Sequence, residues 1–524
     1  MMIKRFKAKR SRQDILAAAL IMLFFFLQVN LIFKESRVFD EHLFLNAGYQ
    51  FLKNKDFTAD PYNPPLAREI TSIPLLFNFN LINDPFLFWP RLMVVIFSLG
   101  LVWILYTWSK KLWGKAAALL SLFIFLLTPE ILAHSHLALT DLLTAFFLFL
   151  SYFFFDKYFI QKKNPGPKEK IIFFLFLGLS LAVRTVNLFL SAPLLFYYLL
   201  FMRKENIIKV KDFAWGIVIA VAIIWATYFF TFEPALGYRR DPNREAFNFV
   251  EKYPRLSFLL EKPIPLGSYI STYKSNFIFL KTDKLPKYAA FAGKEIGKGP
   301  GYLTLIVFLL KTPIPLLIMF LYPLLKKEKN KTEKFIKFTS LFIFLEILFL
   351  GTDLRIRYFL SLYPLLTILS GRTITDFIKE TKTKIILAGL ACWLLISAKN
   401  TYPHFLTFFN EIAGGRDEAY KIVVDSNLDW GQGLPSLKNY LEKNKVNDYQ
   451  LAYFGSANPK EYGLNYERIK DFNPLETKEI KELNTKKPII ISASCWYYCG
   501  YYQNKELINK NPIIIDGQFL LFNK

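Results

Sequence analysis

Four clusters of polar residues interrupt an otherwise apolar chain. The first is Asp40 and Glu41, followed by His42. The second, HSHLALTD, carries His134, His136 and Asp141. The third, GTDLRIRYFLSLYP, carries Asp353, Arg355 and Arg357. The fourth runs from YPHFLTFFNEIAGG to DSNLDWGQGL and carries His404, Asn410, Asp425, Asn427, Asp429 and Gln432. A carboxylate can take the proton of an attacking hydroxyl. An arginine or lysine can hold a departing phosphate, arginine through a two-pronged hydrogen bond. Transfer of a sugar from a lipid phosphate needs both kinds of group, with access for a lipid.

Each cluster also has a plainer use. Asp40 suits a helix cap, and so does Asp141 at the start of a later apolar run. A helix starting at Asp40 has no capping box, because position 43 is Leu. His134 and His136 stand two residues apart and do not share a helix face. Arg355 and Arg357 suit interfacial anchors beside Tyr358. DSNLDWGQ suits a turn that docks the tail on a membrane bundle. Together, however, several ionisable groups on one side of an apolar protein call for a functional reason.

The first cluster lies in the stretch 38–69, between the first two long apolar runs. Leu43, Ala47 and Phe51 recur at helical spacing, as do Phe44, Gly48 and Leu52, which predicts a short amphipathic helix along the membrane surface with Asp40 at its start. Tyr62, Asn63, Pro64 and Pro65 predict a stiff turn after it.

Composition supports a membrane setting. Of 524 residues, 53% are hydrophobic, and the apolar residues come in blocks long enough to span a bilayer. The formal charge of +24 is no sign of nucleic acid, because the Lys and Arg cluster in short loops between those blocks. Apolar runs fall at about 15–33, 88–108, 116–133, 137–155, 171–183, 186–202, 213–232, 301–325, 335–350, 358–371 and 385–400, predicting about eleven transmembrane helices. The pair 171–183 and 186–202 also reads as one broken unit. The first run is long and lacks a small-residue cleavage pattern, so it reads as an uncleaved helix. The loops 109–115, 156–170, 203–211, 326–334 and 372–384 are all basic. The positive-inside rule then puts the N-terminus in the cytoplasm, and the loops 34–87 and 233–300 and the chain beyond residue 400 outside it.

Lys311 and Pro313 sit inside the apolar run 301–325, where a lysine needs a partner or a cavity unless it snorkels. The loop 233–300 is long enough to be functional, and its tyrosines suit an interfacial helix. The tail, 401–524, is polar with short apolar runs. A helix over 434–445 and strands at 449–454, 487–494 and 512–522 predict a small extracytoplasmic α/β domain beside a membrane domain of residues 1–400. Cys495 and Cys499 can pair there in an oxidising compartment, and their spacing lacks the second pair of a zinc site.

The ordered motifs resemble a known family. An FDE loop, NPPLARE, HLALTD at a helix start, KTPIP, RYFLSLYP, YPHFLTFFNEIAGG and DSNLDWGQGL follow one another as in the lipid-carrier-dependent glycosyltransferases of the protein O-mannosyltransferase type, with the aminoarabinose transferases as relatives. The resemblance implies the α-helical polytopic GT-C architecture. It implies an inverting membrane transferase that moves a hexosyl or pentosyl group, mannose or similar, from a polyprenyl-phosphate donor to a hydroxyl of a protein or envelope acceptor. It implies Asp40 as the base, with Glu41 beside it, and Asp141 as the second acidic position. Arg357, Lys311 and Arg355 fall where basic residues meet the donor phosphate, and His42, His136, Asn410, Asp425 and Asp429 are candidates for substrate binding or support. Asn63 replaces the usual histidine of HPPL. No metal ligand set is implied, although His42, His134 and His136 allow a divalent metal. The rival readings are a transporter or lipid flippase, which the broken runs favour and the lack of an internal repeat opposes, and a membrane scaffold.

Overall fold

A computed structural model of the chain describes residues 12–162, 165–202, 210–235, 262–281, 289–292, 294–296, 301–350 and 356–523. Among the described residues, four helices are long and apolar enough to cross a membrane: Arg12–Ile32, Phe88–Trp113, Asp141–Ile160 and Thr381–Thr401. A fifth crossing exists if the pair Tyr302–Lys311 and Ile314–Leu325, bent by 117° at Pro313, counts as one. The helix beginning at Asp141 is central, with 72% of its apolar window buried, against 28% for the first and last of the four. Leu23, Phe26 and Ile385 on those outer helices are exposed apolar side chains that suit contact with lipid.

The count of eleven spans is not reproduced among the described residues, and the reason is local. The run 116–133 splits into helices Lys115–Leu126 and Pro129–His134. Pro129 lacks a backbone donor and starts the second piece, where a missing N–H costs least. The run 186–202 forms a shorter apolar helix, Asn187–Met202, that follows but does not continue helix Pro167–Leu181. Apolar length marks membrane exposure and core equally.

The first-loop helix runs Phe39–Asn54, and a return helix runs Leu66–Phe77. Its buried face is Glu41, Leu45, Ala47, Gly48 and Phe51, whereas Leu43 is 52% exposed. The two helices meet at Gly48, where an added Cβ would lie 2.3 Å from the Arg68 carbonyl oxygen and 2.3 Å from Ser72 Oγ. Ser72 Oγ donates to the Leu45 carbonyl at 2.9 Å across the same contact.

The tail contains helix Leu434–Lys443 and a five-stranded mixed sheet in the order 467–468, 450–452, 489–492, 519–522, 513–515. The strand expected over 512–522 is a hairpin, turned at Asp516 and Gly517, which both take positive φ. Alternation divides the sheet between two cores. Ile490, Phe519 and Leu521 pack with Leu434, Leu437 and Leu441 of the helix. Ile489, Ile491, Leu520 and Phe522 join the core that continues into the membrane helices. Cys495 and Cys499 are bonded.

Gly48→Ala should lower the midpoint of thermal unfolding of the purified protein, since overpacking a tight contact costs about 1–3 kcal/mol. Leu43→Ala, on the exposed face of the same helix, should leave it unchanged.

Candidate active site

The first turn of the Phe39–Asn54 helix sends its two carboxylates to different places. The cap is Val38, two residues before the Asp40 that the sequence suggests, so Glu41, not Leu43, stands at the capping position. Its Oε2 accepts the Val38 N–H at 2.9 Å. Arg91 Nε donates to Oε1 at 2.9 Å and Arg91 Nη2 to Oε2 at 2.7 Å, and both side chains are fully buried. The Ala138 N–H donates to Oε1 at 2.8 Å. Arg91 also donates to the carbonyl of Ile32, at the end of the first span, and to those of Glu35 and Ser36 just beyond it. Glu41 is thus committed to structure, which corrects its expected part in the chemistry. Asp40, freed of the cap, keeps 22% of its side chain exposed.

Asp40 begins a line of alternating charges. Arg357 Nη1 stands 3.5 Å from Asp40 Oδ2 and 3.6 Å from Asp141 Oδ2. Asp141, at the N-terminus of the central helix, also pairs with Arg184. Arg357 lies over the Trp430 ring at 4.6 Å, and Arg184 over the Tyr358 ring at 5.2 Å. Contacts of 3.5 and 3.6 Å are at the edge of hydrogen-bond range. The buried Nε of Arg357 has no acceptor among the described residues. Arg357 is therefore held in place by its stacking while its donors are under-used, which suits a guanidinium that takes up a phosphate. Arg355 and Asp353 lie outside the described residues.

Neighbouring loops brace this line. Arg68 pairs with Asp60 and lies 4.5 Å over the Phe44 ring. Thr185 Oγ1 donates to Asn63 Oδ1 at 3.2 Å, and Asn276 Nδ2 donates to Thr185 Oγ1 at 2.9 Å and to the Tyr62 carbonyl at 2.8 Å. The proline loop, the Arg184 turn and helix Gly267–Lys281 thus meet beside Asp40 and Asp141.

Lys311 is elsewhere. Its Nζ is fully buried, 2.9 Å from Glu130 Oε1, and donates to the Leu406 carbonyl at 2.8 Å and to the Asn427 carbonyl. Its three protons are taken, which corrects its expected phosphate contact. The expected partner at depth is Glu130, which also meets His134 at 3.5 Å. Asn410 bridges the helix break beside it, with Nδ2 donating to the carbonyls of Leu309 at 2.7 Å and Thr312 at 3.0 Å. Asn410 therefore supports the bend and touches no member of the charge line.

The remaining candidates separate likewise. His136 is fully buried between Gln28 Oε1 at 2.9 Å and Glu35 Oε2 at 3.1 Å. His42 is partly buried, and burial followed by the nearby Arg37 holds its pKa below the usual histidine value. No group of three or more His, Cys, Asp or Glu able to hold a metal occurs among the described residues. Asp425 takes a positive φ and meets Tyr498 Oη at 3.3 Å. Asp429 accepts the N–H groups of Ser494 at 2.9 Å and Gly431 at 3.2 Å, and burial pushes its pKa up to about 7. These two carboxylates shape the loop that carries Trp430. The same loop docks on the first cluster, with Phe39 N–H donating to the Trp430 carbonyl at 2.9 Å and Ser36 N–H to the Gln432 carbonyl at 3.0 Å.

Sequence reasoning passed over Arg184, Trp430, Arg91, Glu130 and Arg68. Arg184 carried the clearest signal, because it is a lone charge between two apolar runs.

Residues 17–237 match the family model described as dolichyl-phosphate-mannose-protein mannosyltransferase. That range includes Asp40, Asp141 and Arg184 and ends before Arg357. Among solved structures, ArnT from Cupriavidus metallidurans has a similar fold, both in the apo state and bound to undecaprenyl phosphate. It matches with a TM-score of 0.51 and 11% identity, over 97% of this chain and 97% of that one. An uncharacterized protein of Aquifex aeolicus (strain VF5) is 24% identical over 383 residues, 68% of this chain and 72% of its own length. The chain therefore shares the fold of ArnT over nearly its whole length.

A carboxyl whose pKa is raised by folding stabilises the folded state fully below its ordinary value and loses that contribution as pH rises through the folded value. Asp429, raised from 3.8 to about 7, should therefore make the protein less stable as pH climbs through that window. Asp429→Asn should flatten this decline, by at most about 4 kcal/mol, in melting curves recorded from mildly acid to mildly alkaline buffer.

Proposed function

We propose that this protein is an integral-membrane glycosyltransferase that moves a sugar from a polyprenyl-phosphate donor to a hydroxyl acceptor, with inversion and with Asp40 as general base. The observation that carries the reading is the part-exposed Asp40 carboxylate 3.5 Å from the buried, stacked Arg357. A donor phosphate competes with Asp40 for Arg357, because carboxylate and phosphate suit the same guanidinium. Binding of the donor then releases Asp40 to accept a proton. Asp40 takes the proton of the acceptor hydroxyl as its oxygen bonds to the anomeric carbon, and the bond from that carbon to the phosphate oxygen breaks. The electron pair leaves with the polyprenyl phosphate, whose charge Arg357 and Arg184 neutralise. Glu41 and Asp141 act as positioning residues.

The sugar is a hexose or pentose, mannose or similar, and the acceptor is a protein, glycan or lipid of the cell envelope. The cytoplasmic membrane is the proposed location, with the N-terminus inside. The basic loops support that orientation, and the Cys495–Cys499 bond supports an oxidising compartment for the tail. The bend at Pro313 gives little support to a transporter, because Asn410 occupies carbonyls at the break and Glu130 holds Lys311.

The test is transfer from a panel of labelled polyprenyl-phosphate sugars to an envelope extract, using protein purified in lipid. Asp40→Asn should slow transfer by about 100-fold or more with unchanged expression, and Arg357→Gln should weaken use of the donor. Glu41→Gln should instead reduce the yield of folded protein. An Asp40→Asn enzyme as fast as the wild type would remove the base. Substrate flux into vesicles without a covalent product would favour a transporter.

A further inference from the structure

Two motifs stand outside the mechanism: the end of NPPLARE and the hydroxyl-rich start of helix Gly267–Lys281, GSYISTYKSN. Glu69 follows Arg68 in the first turn of the return helix and is 7% exposed. Its Oε1 is shut off from solvent and meets no hydrogen-bond donor among the described residues. Burial pushes its pKa up to about 8. At neutral pH such a carboxyl keeps its proton, so it both donates and accepts hydrogen bonds.

Tyr228 joins Glu69 to the hydroxyl-rich helix. It lies within electrostatic reach of Arg68 and Glu69. Its Oη stands 3.3 Å from Thr272 Oγ1, which is long for a pair of hydroxyls. Thr272 Oγ1 donates to the Ser268 carbonyl at 2.9 Å and so keeps its lone pairs for a donor. Ser268 and Ser275 lie one turn either side of Thr272 and share its helix face. Both are buried, and their Oγ atoms have no partner among the described residues. Hydroxyls and a protonated carboxyl, on elements that meet at Tyr228, suit a neutral ring that carries several hydroxyls.

These residues border the charge line. The Arg68 guanidinium is within electrostatic reach of Asp40 and Arg184 as well as of Tyr228. Tyr273 Oη donates to the Thr185 carbonyl at 3.3 Å, next to Arg184, and lies 3.0 Å from Tyr269 Oη. A sugar hangs directly on its phosphate, so its seat must adjoin the groups that hold that phosphate. We propose, on the strength of the transferase reading, that Glu69, Tyr228 and Thr272 seat the sugar ring of the donor and select a neutral sugar through its hydroxyls. A site built to hydrogen-bond a hydroxyl rejects a ligand that lacks it, because its own buried groups are then left unpaired.

The experiment compares binding of labelled polyprenyl-phosphate mannose and labelled sugar-free polyprenyl phosphate to the full-length protein in lipid, near neutral pH and without acceptor. The wild type should hold the mannose lipid about tenfold more tightly, as one or two hydrogen bonds provide. Glu69→Leu should bring the two lipids to equal affinity and leave binding of the sugar-free lipid unchanged. Glu69→Gln, which keeps a donor and an acceptor, should retain most of the preference. Should Glu69→Leu fail to fold, Thr272→Val, on the other element, should still cut the preference by several fold. Equal affinity for the two lipids in the wild type, or an equal loss of both in the variants, would overturn the seat and leave the transferase reading standing. Failure of the wild type to bind either lipid would overturn that reading and the seat with it. A polyprenyl-phosphate amino sugar held more tightly than the mannose lipid by the wild type, but not by Glu69→Gln, would overturn the neutral sugar in favour of a cationic one.

Discussion

The buried pair between Glu41 and Arg91 is the constraint on which the candidate site depends. Both side chains are wholly removed from water, so either charge alone would be costly. Glu41 also accepts the Val38 and Ala138 N–H groups, and Arg91 donates to the carbonyls of Ile32, at the end of the first span, and of Glu35 and Ser36 just after it. Three segments far apart in the chain are thereby tied together: the entry to the first-loop helix, the second span and the approach to Asp141. Asp40 and Asp141 can share Arg357 only because that junction holds their backbones in register.

Adjacent residues of like chemistry then take opposite roles. Successive helical positions point about 100° apart, so a buried Glu41 turns Asp40 toward the exposed side. The tail contributes in a similar way. Ile356 N–H donates to Asn427 Oδ1 at 2.9 Å, which fixes the turn beside Arg357, and Trp430 from the same tail loop covers the guanidinium. The α/β unit is thus a wall of the site, with one face of its sheet in the membrane-domain core. Lys311 and Asn410 act behind that wall, where they hold a bend and the tail loop together.

The tail's strands were readable from β-branched and aromatic runs, and the Asp-Gly turn at 516–517 divides one of them as turn chemistry demands. The first-loop helix was readable from its spacing, but its buried face was not, because Leu43 and Leu45 are alike as residues and differ only in what covers them. The count of eleven spans is not confirmed among the described residues for the same reason. An apolar run of membrane length and a pair of short core helices have the same composition, and proline at 129 and 313 cuts where hydropathy continues.

By itself the sequence determined the membrane setting, the small α/β tail, and the presence of carboxylates and guanidinium groups in an order that resembles one class of transferase. Those properties follow from composition and local spacing, which act within a few residues. Only the tertiary structure decided that Asp40 is available while Glu41 is not, that Arg357 and Arg184 join Asp141, and that Lys311 belongs to Glu130. Charge pairing inside a low-dielectric core is set by distances of a few ångströms between segments far apart in sequence, and no local pattern records them.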